Sequence, residues 1–176
     1  MTNRYDIFRS GANLKETILQ TKNVCQTEFG KIFEREVDGD IYAQPLVKSE
    51  VNIPNAGSRD LVYVATVNNN LYAFDAESPS VSKPYWRVTS QVLGQPVPKS
   101  EVTDLPPDQE YRNFDNNIGI VATPVIDDQT STIYVVAFSK AAGTYHFRLH
   151  AFDLATGRER REMNSPAEIE SSYLGL

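Results

Sequence analysis

Two histidines four residues apart, His146 and His150 in "HFRLH", are the first residues of this 176-residue chain whose types suggest chemistry. On a helix that spacing brings both imidazoles to one face, where they could share a zinc ion. The flanking residues read as a strand instead, in which four residues separate Cα atoms by roughly 13 Å, too far for one ion. The acidic and amide-rich stretch "EVTDLPPDQEYRNFDNN", Glu101 to Asn117, offers the hard oxygen ligands that calcium takes. It lacks the fixed alternation of an EF-hand loop and reads first as a solvated loop. Within it Tyr111, Phe114 and Asp115 are candidates for contact with a ligand or partner, the competing reading being that the aromatics pack over a sheet edge.

Cys25 is the single cysteine, which rules out an intrachain disulfide, a CxxC redox pair and a cysteine-rich zinc site. No neighbour in sequence is placed to lower its pKa, and it reads as inert. GxSxG, HExxH, P-loop and GxGxxG patterns are all missing. No catalytic, cofactor-binding or metal-binding residue is assigned, and the chain alone is not expected to be an enzyme.

Seventeen basic residues against 23 acidic ones give a net charge of −6, with no Lys/Arg-rich run. The electrostatic attraction that dominates nucleic-acid binding is therefore missing, and neither nucleic acid nor an anionic membrane is an expected partner. Hydrophobic residues make up 40%, enough for one domain with a real core. No run reaches the ~18–20 apolar residues of a membrane span, and "MTNRYDIFRSG" carries no signal-peptide core. If Met1 is the start, the chain reads as soluble and without an export signal.

The elements that would have to position any site occur twice. "GDIYAQPLV", a spacer, "LVYVATV", "NNN", "LYAFDA" and "YWRV" are followed in the same order by "GIVATPVID", a turn, "TIYVVAF", a loop, "RLHAFDLATG" and "RERRE". Pro45 aligns with Pro124, Tyr63 with Tyr134, and Phe74-Asp75 with Phe152-Asp153, an internal repeat. The segments are short, rich in Val, Ile, Tyr and Phe, and bounded by Asn, Asp, Gly or Pro, which is the signature of strands and turns. Antiparallel strands are expected near 41–48, 60–67, 70–75 and 84–89, and again near 120–126, 131–138, 145–153 and 158–162, with almost no helix. "LVYVATV" is nearly all apolar rather than alternating, as a strand covered on both faces must be. Sheets stacked radially, as in a β-propeller, meet that demand.

The runs "FGKIFEREVDGDIYAQPLV", "VYVATVNNNLYAFDA" and "GIVATPVID…TIYVVAFSK…RLHAFDLATGRE" resemble the pyrroloquinoline-quinone-type repeat propellers, over roughly Arg9 to Glu159. The resemblance implies a docking pattern of Ala-x-Asp-x-x-Thr-Gly followed by a tryptophan. The second copy matches it at Ala151, Asp153, Thr156 and Gly157, with Arg161 near the place of the tryptophan. The first keeps Ala73, Asp75 and Trp86, while "ESPSVSKPY" replaces the Thr-Gly turn. Physically, each Asp ends a strand where its carboxylate can accept from backbone amides just ahead. Gly157 supplies a positive φ, and Trp86 covers the joint between neighbouring sheets.

The expected fold is thus all-β: a partial β-propeller of two four-stranded antiparallel blades plus an N-terminal strand. Its parts are an extension (1–28), a lone strand (29–38), a first blade (39–89), an irregular insertion (90–118), a second blade (119–162) and a tail (163–176). Closed propellers have about four to eight blades, so the chain reads as an N-terminal section whose partners are missing C-terminal blades or further copies of itself. The resemblance suggests an exported, periplasmic or extracellular protein. The expected function is a non-catalytic binding or scaffold surface. The alternative is part of a pyrroloquinoline-quinone-dependent dehydrogenase, with that quinone and calcium as cofactors. Such enzymes typically stack the quinone on a vicinal disulfide, which this chain cannot form, and no cofactor is expected.

Overall fold

Why the central segments lack alternation is answered by what lies on either side of them. In a computed structural model, residues 16–102, 114 and 116–160 are described, together with the backbone of strand residues 167–169. The first sheet contains β1 (Leu46–Ile53), β2 (Gly57–Thr66), β3 (Asn70–Asp75) and β4 (Trp86–Val88) in sequential antiparallel order. Helix α1 (Ser90–Leu93) follows, and then a two-stranded sheet of β5 (Val97–Pro98) and β6 (Asn117–Ile118). The second large sheet contains β7 (Val125–Asp127), β8 (Thr132–Ala141), β9 (Thr144–Asp153) and β10 (Ala167–Ile169), also antiparallel in chain order. The molecule is therefore mostly β with almost no helix, and no helix among the described residues is long and apolar enough to cross a membrane.

The two large sheets pack face to face. Leu61, Tyr63, Ala65, Leu71 and Ala73 of the first meet Ile133, Val135, Ala137 and Phe152 of the second in one buried cluster. Complete burial of the Leu, Ile, Val and Phe side chains among them contributes about 1.5–3 kcal/mol each. On the reverse face of the first sheet Val64, Tyr72 and Phe74 form a second cluster, against which Val37 and Val62 pack. All six residues of β3 are consequently buried, as the unbroken apolar run of the hairpin requires.

The repeat is preserved in the central strand pairs. Tyr63 pairs with Leu46 and Ala73, and Tyr134 with Val125 and Ala151. The Tyr85 amide donates to the Ala73 carbonyl at 2.8 Å, and the Arg160 amide to that of Ala151 at 2.8 Å.

Several expected boundaries are corrected. The first strand begins at Leu46, after Pro45, because proline has no amide to give to the ladder. The supposed spacer beyond it forms the rest of the β1–β2 hairpin, with a register shift between Lys48 and Val51 where Glu50 has a φ of 60°. In the second copy β7 starts only at Val125, likewise after a proline. Of the residues expected as a strand at 158–162, those at 158–160 contribute one bridge, Phe152 to Glu159, and the other two lie outside the described residues; edge pairing on β9 comes from Ala167–Ile169 in the expected tail. The insertion at 90–118 is partly regular, as α1, β5 and β6 show. Residues 29–38 form no ladder. Residues 33, 35 and 37 are half-buried and alternate with exposed neighbours, because the segment crosses a sheet face instead of extending an edge.

Candidate functional site

Of the residues expected from the repeat, Gly157 and Trp86 meet at the joint between the two sheets. Asp153 ends β9, and its Oδ1 accepts from the amides of Ala155 (3.1 Å) and Thr156 (2.9 Å) and from the Thr156 hydroxyl (2.8 Å). Its Oδ2 accepts from Arg160 at 2.7 Å. Burial opposes ionisation of this carboxyl, but those hydrogen bonds and the Arg160 charge outweigh it and hold Asp153 below the usual carboxylate range. The turn they fix brings Gly157, at φ +65°, beneath the indole of Trp86, where a Cβ would stand 2.6 Å from ring carbons. The Trp86 Nε1 and the Tyr63 hydroxyl both donate to the Leu154 carbonyl at 3.0 Å.

Asp75 plays the same part in the first sheet. Its Oδ1 accepts from the amides of Glu77 (2.9 Å) and Ser78 (2.6 Å), and Oδ2 accepts from the Tyr85 hydroxyl at 2.9 Å. Here too burial opposes ionisation and the hydrogen bonds win, so its pKa lies below the ordinary value. Ala73 is fully buried and Ala151 partly so, each on the strand that leads into its Asp turn.

Phe114 lies against Tyr42, with ring centroids 4.5 Å apart, and its carbonyl accepts from Lys99 at 3.0 Å. Tyr111 and Asp115 lie outside the described residues. His146 and His150 lie on β9, opposite Ser139 and Val135. His150 is buried, with Nδ1 2.7 Å from a Glu159 carboxylate oxygen. Cys25 is exposed; hydrogen bonding to Thr27 lowers its pKa despite the reading of an unperturbed thiol.

A concave site appears elsewhere, at the β2–β3 end of the first sheet, where a polar cavity of about 390 Å³ opens. Asp38, Asn68, Asn70, Arg87, Gln91 and Asn117 are among its lining residues. The Asp38 carboxylate accepts from Asn68 Nδ2 at 3.0 Å and from Asn70 Nδ2 at 3.3 Å. Arg87 donates to Asn70 Oδ1 at 3.1 Å and, less closely, to Asp38 at 3.4 Å. Asn117 donates to Asn68 Oδ1 at 2.8 Å. Tyr72 supports the group: its hydroxyl accepts from the Asp38 amide at 3.0 Å and the Arg87 guanidinium lies 5.0 Å from its ring centroid. Gly39, at φ +96°, leaves room for Asn68, whose Nδ2 would stand 2.8 Å from a Cβ there.

Between the two polar neighbours, Asn69 is fully buried and donates to the carbonyls of Gly94 (2.9 Å) and Phe138 (2.8 Å), stitching the turn to the second sheet. Sequence reasoning read "NNN" as a turn tip and missed the cavity, which joins segments far apart in the chain. The one local signal was three successive carboxamides where a two-residue turn needs only one or two. Comparison with protein-family models, with curated proteins and with solved structures finds no match.

Proposed function

We propose that the chain is a section of a β-propeller of the pyrroloquinoline-quinone-repeat type and acts as a non-catalytic binding or scaffold surface. The observation that carries this reading is a face that recurs. The first sheet packs on the second through Leu46, Tyr63, Leu71 and Ala73. By ladder register their counterparts are Val125, Tyr134, Leu149 and Ala151, on the outward side of the second sheet. Val125 on β7 is 43% exposed there, and Phe147, on β9 toward the other end of the same face, 41%. A chain that repeats its docking face outward is built to continue the array, either with further blades or with other copies.

Light scattering after size exclusion tests the proposal. The isolated chain is expected to self-associate with rising concentration, and Leu149→Glu, on the outward face, to suppress that association. A single 19.7 kDa species with a sharp cooperative melt at all concentrations would overturn the reading.

A further inference from the structure

We infer that the polar cavity at the β2–β3 end of the first sheet binds a polar α-amino acid in its zwitterionic form. The inference rests on reading this chain as a binding surface and names the ligand class for that surface. Its lining contains one carboxylate, Asp38, and one guanidinium, Arg87, side by side. Neither is withdrawn from solvent: the side chains are 61% and 41% exposed. Their direct contact, 3.4 Å, is longer than the bond by which Arg87 reaches Asn70. Asn70, only 3% exposed, therefore works as a buried spacer, donating to the acid and accepting from the base. The two charges are fixed next to each other at the cavity wall with part of their hydrogen-bonding capacity unused.

That arrangement selects among ligand chemistries. A phosphate or other multiply charged anion would meet a single cation already offset by a carboxylate. A metal ion would find one carboxylate with two amide N–H donors, from Asn68 and Asn70, directed at it. An α-amino acid carries its ammonium and carboxylate on one carbon, so its two charges can lie antiparallel to the Asp38–Arg87 pair, the ammonium donating to Asp38 and the carboxylate accepting from Arg87. Gln91 and Gln95, whose side-chain amides make no hydrogen bond among the described residues, offer a donor and an acceptor each to a polar side chain. A neutral sugar would hydrogen-bond to the same groups but carries no charge to set against either member of the pair.

The test is an NMR titration of the 15N-labelled full chain, following the side-chain amide and Arg Nε signals. The probes are L-glutamine, N-acetyl-L-glutamine, which lacks the ammonium, L-glutamine α-amide, which lacks the carboxylate, and a methyl glucoside. L-Glutamine is expected to give saturable shifts at Arg87 and Asn117 with a Kd of about 1 mM, and each blocked analogue to bind roughly tenfold more weakly. Gln91→Ala removes an exposed side chain without touching the network, and is expected to weaken glutamine binding severalfold in a protein with an otherwise unchanged spectrum. No saturable shift with glutamine in a well-dispersed spectrum would overturn the inference, as would equal binding of the blocked analogues or of the glucoside. Either result leaves the association test of the array reading standing, whereas a strictly monomeric chain that binds glutamine would remove the array and keep the pocket.

Discussion

The two large sheets share the register of their central strand pairs, yet their surroundings differ. The first is covered twice: the second sheet lies on one face, and Val37 and its neighbours cross the other, closing over Val64, Tyr72 and Phe74. The second is covered on the face that bears Ile133, Val135 and Phe152, while on the other Phe138 is buried but Val125 and Phe147 are 43% and 41% exposed. Equal secondary structure thus yields unequal burial, and the chain segment before β1 makes the difference. In an array of stacked sheets the terminal face needs either a cap or a neighbour. One end of this pair has the cap.

The largest effect expected from this contrast comes from truncating an aromatic on each outer face. Phe74 is 1% exposed beneath the crossing segment, and Phe74→Ala leaves a cavity that costs about 3–5 kcal/mol. Phe147 is 41% exposed, and Phe147→Ala is expected to cost less than about 1 kcal/mol. Urea melts of the two variants, taken at low protein concentration, measure the difference. Equal losses would mean that the second sheet is covered as completely as the first.

A second test acts on the joint itself. Gly157 and Gly143 both have positive φ, but a Cβ at Gly157 meets the Trp86 ring whereas nothing lies within 4 Å of one at Gly143. Gly143→Ala should therefore cost only the conformational strain, about 1 kcal/mol. Gly157→Ala adds steric overlap and is expected to cost about 2–4 kcal/mol. Trp86 is the only tryptophan, so its fluorescence reports on the joint. A red shift is expected for Gly157→Ala and none for Gly143→Ala.

Much of this joint was legible in the sequence because its parts are local: an Asp, a Thr and a Gly within five residues suffice to specify a turn, and "LVYVATV" announces burial on both faces by refusing to alternate. The crossing segment was misread for an equally physical reason. A strand at an edge and a strap across a face both need every second side chain directed inward, as Phe33, Arg35 and Val37 are, and only the ladder tells them apart. The β1–β2 hairpin was lost in "KSEVNIPNAGSRD" because its polar residues and the irregularity at Glu50 break the period on which strand reading relies. The cavity was the least legible feature. Asp38, Asn70, Arg87 and Asn117 belong to four different stretches of chain, and no spacing rule links them.

The smallest expected effect separates the two Asp turns, which use different partners for the same oxygen. Asp75 Oδ2 accepts from a tyrosine hydroxyl, and Asp153 Oδ2 from a guanidinium. In Asp75→Asn the new NH2 can donate to the Tyr85 hydroxyl, which serves as acceptor as readily as donor, so the bond is reversed and kept. In Asp153→Asn the NH2 faces Arg160, which has only donors, and the contact is lost. The arginine is 36% and the aspartate 28% exposed, so solvent screening limits the cost to about 1–2 kcal/mol, against less than about 1 kcal/mol for Asp75→Asn. Both carboxyls lie below their ordinary range in the folded chain. A depressed folded pKa contributes stability that is present above the unfolded value, about 3.9, and is lost as pH falls through the folded one. The wild-type chain should hold its stability down to about pH 4 and lose it progressively below. Asp153→Asn, already without that ionisation, should start lower and fall less steeply over the same window. Urea midpoints measured from about pH 6 to about pH 3 settle the matter: parallel curves for wild type and Asp153→Asn would show that this carboxylate contributes nothing to acid sensitivity, and that the turn is held by its backbone bonds alone.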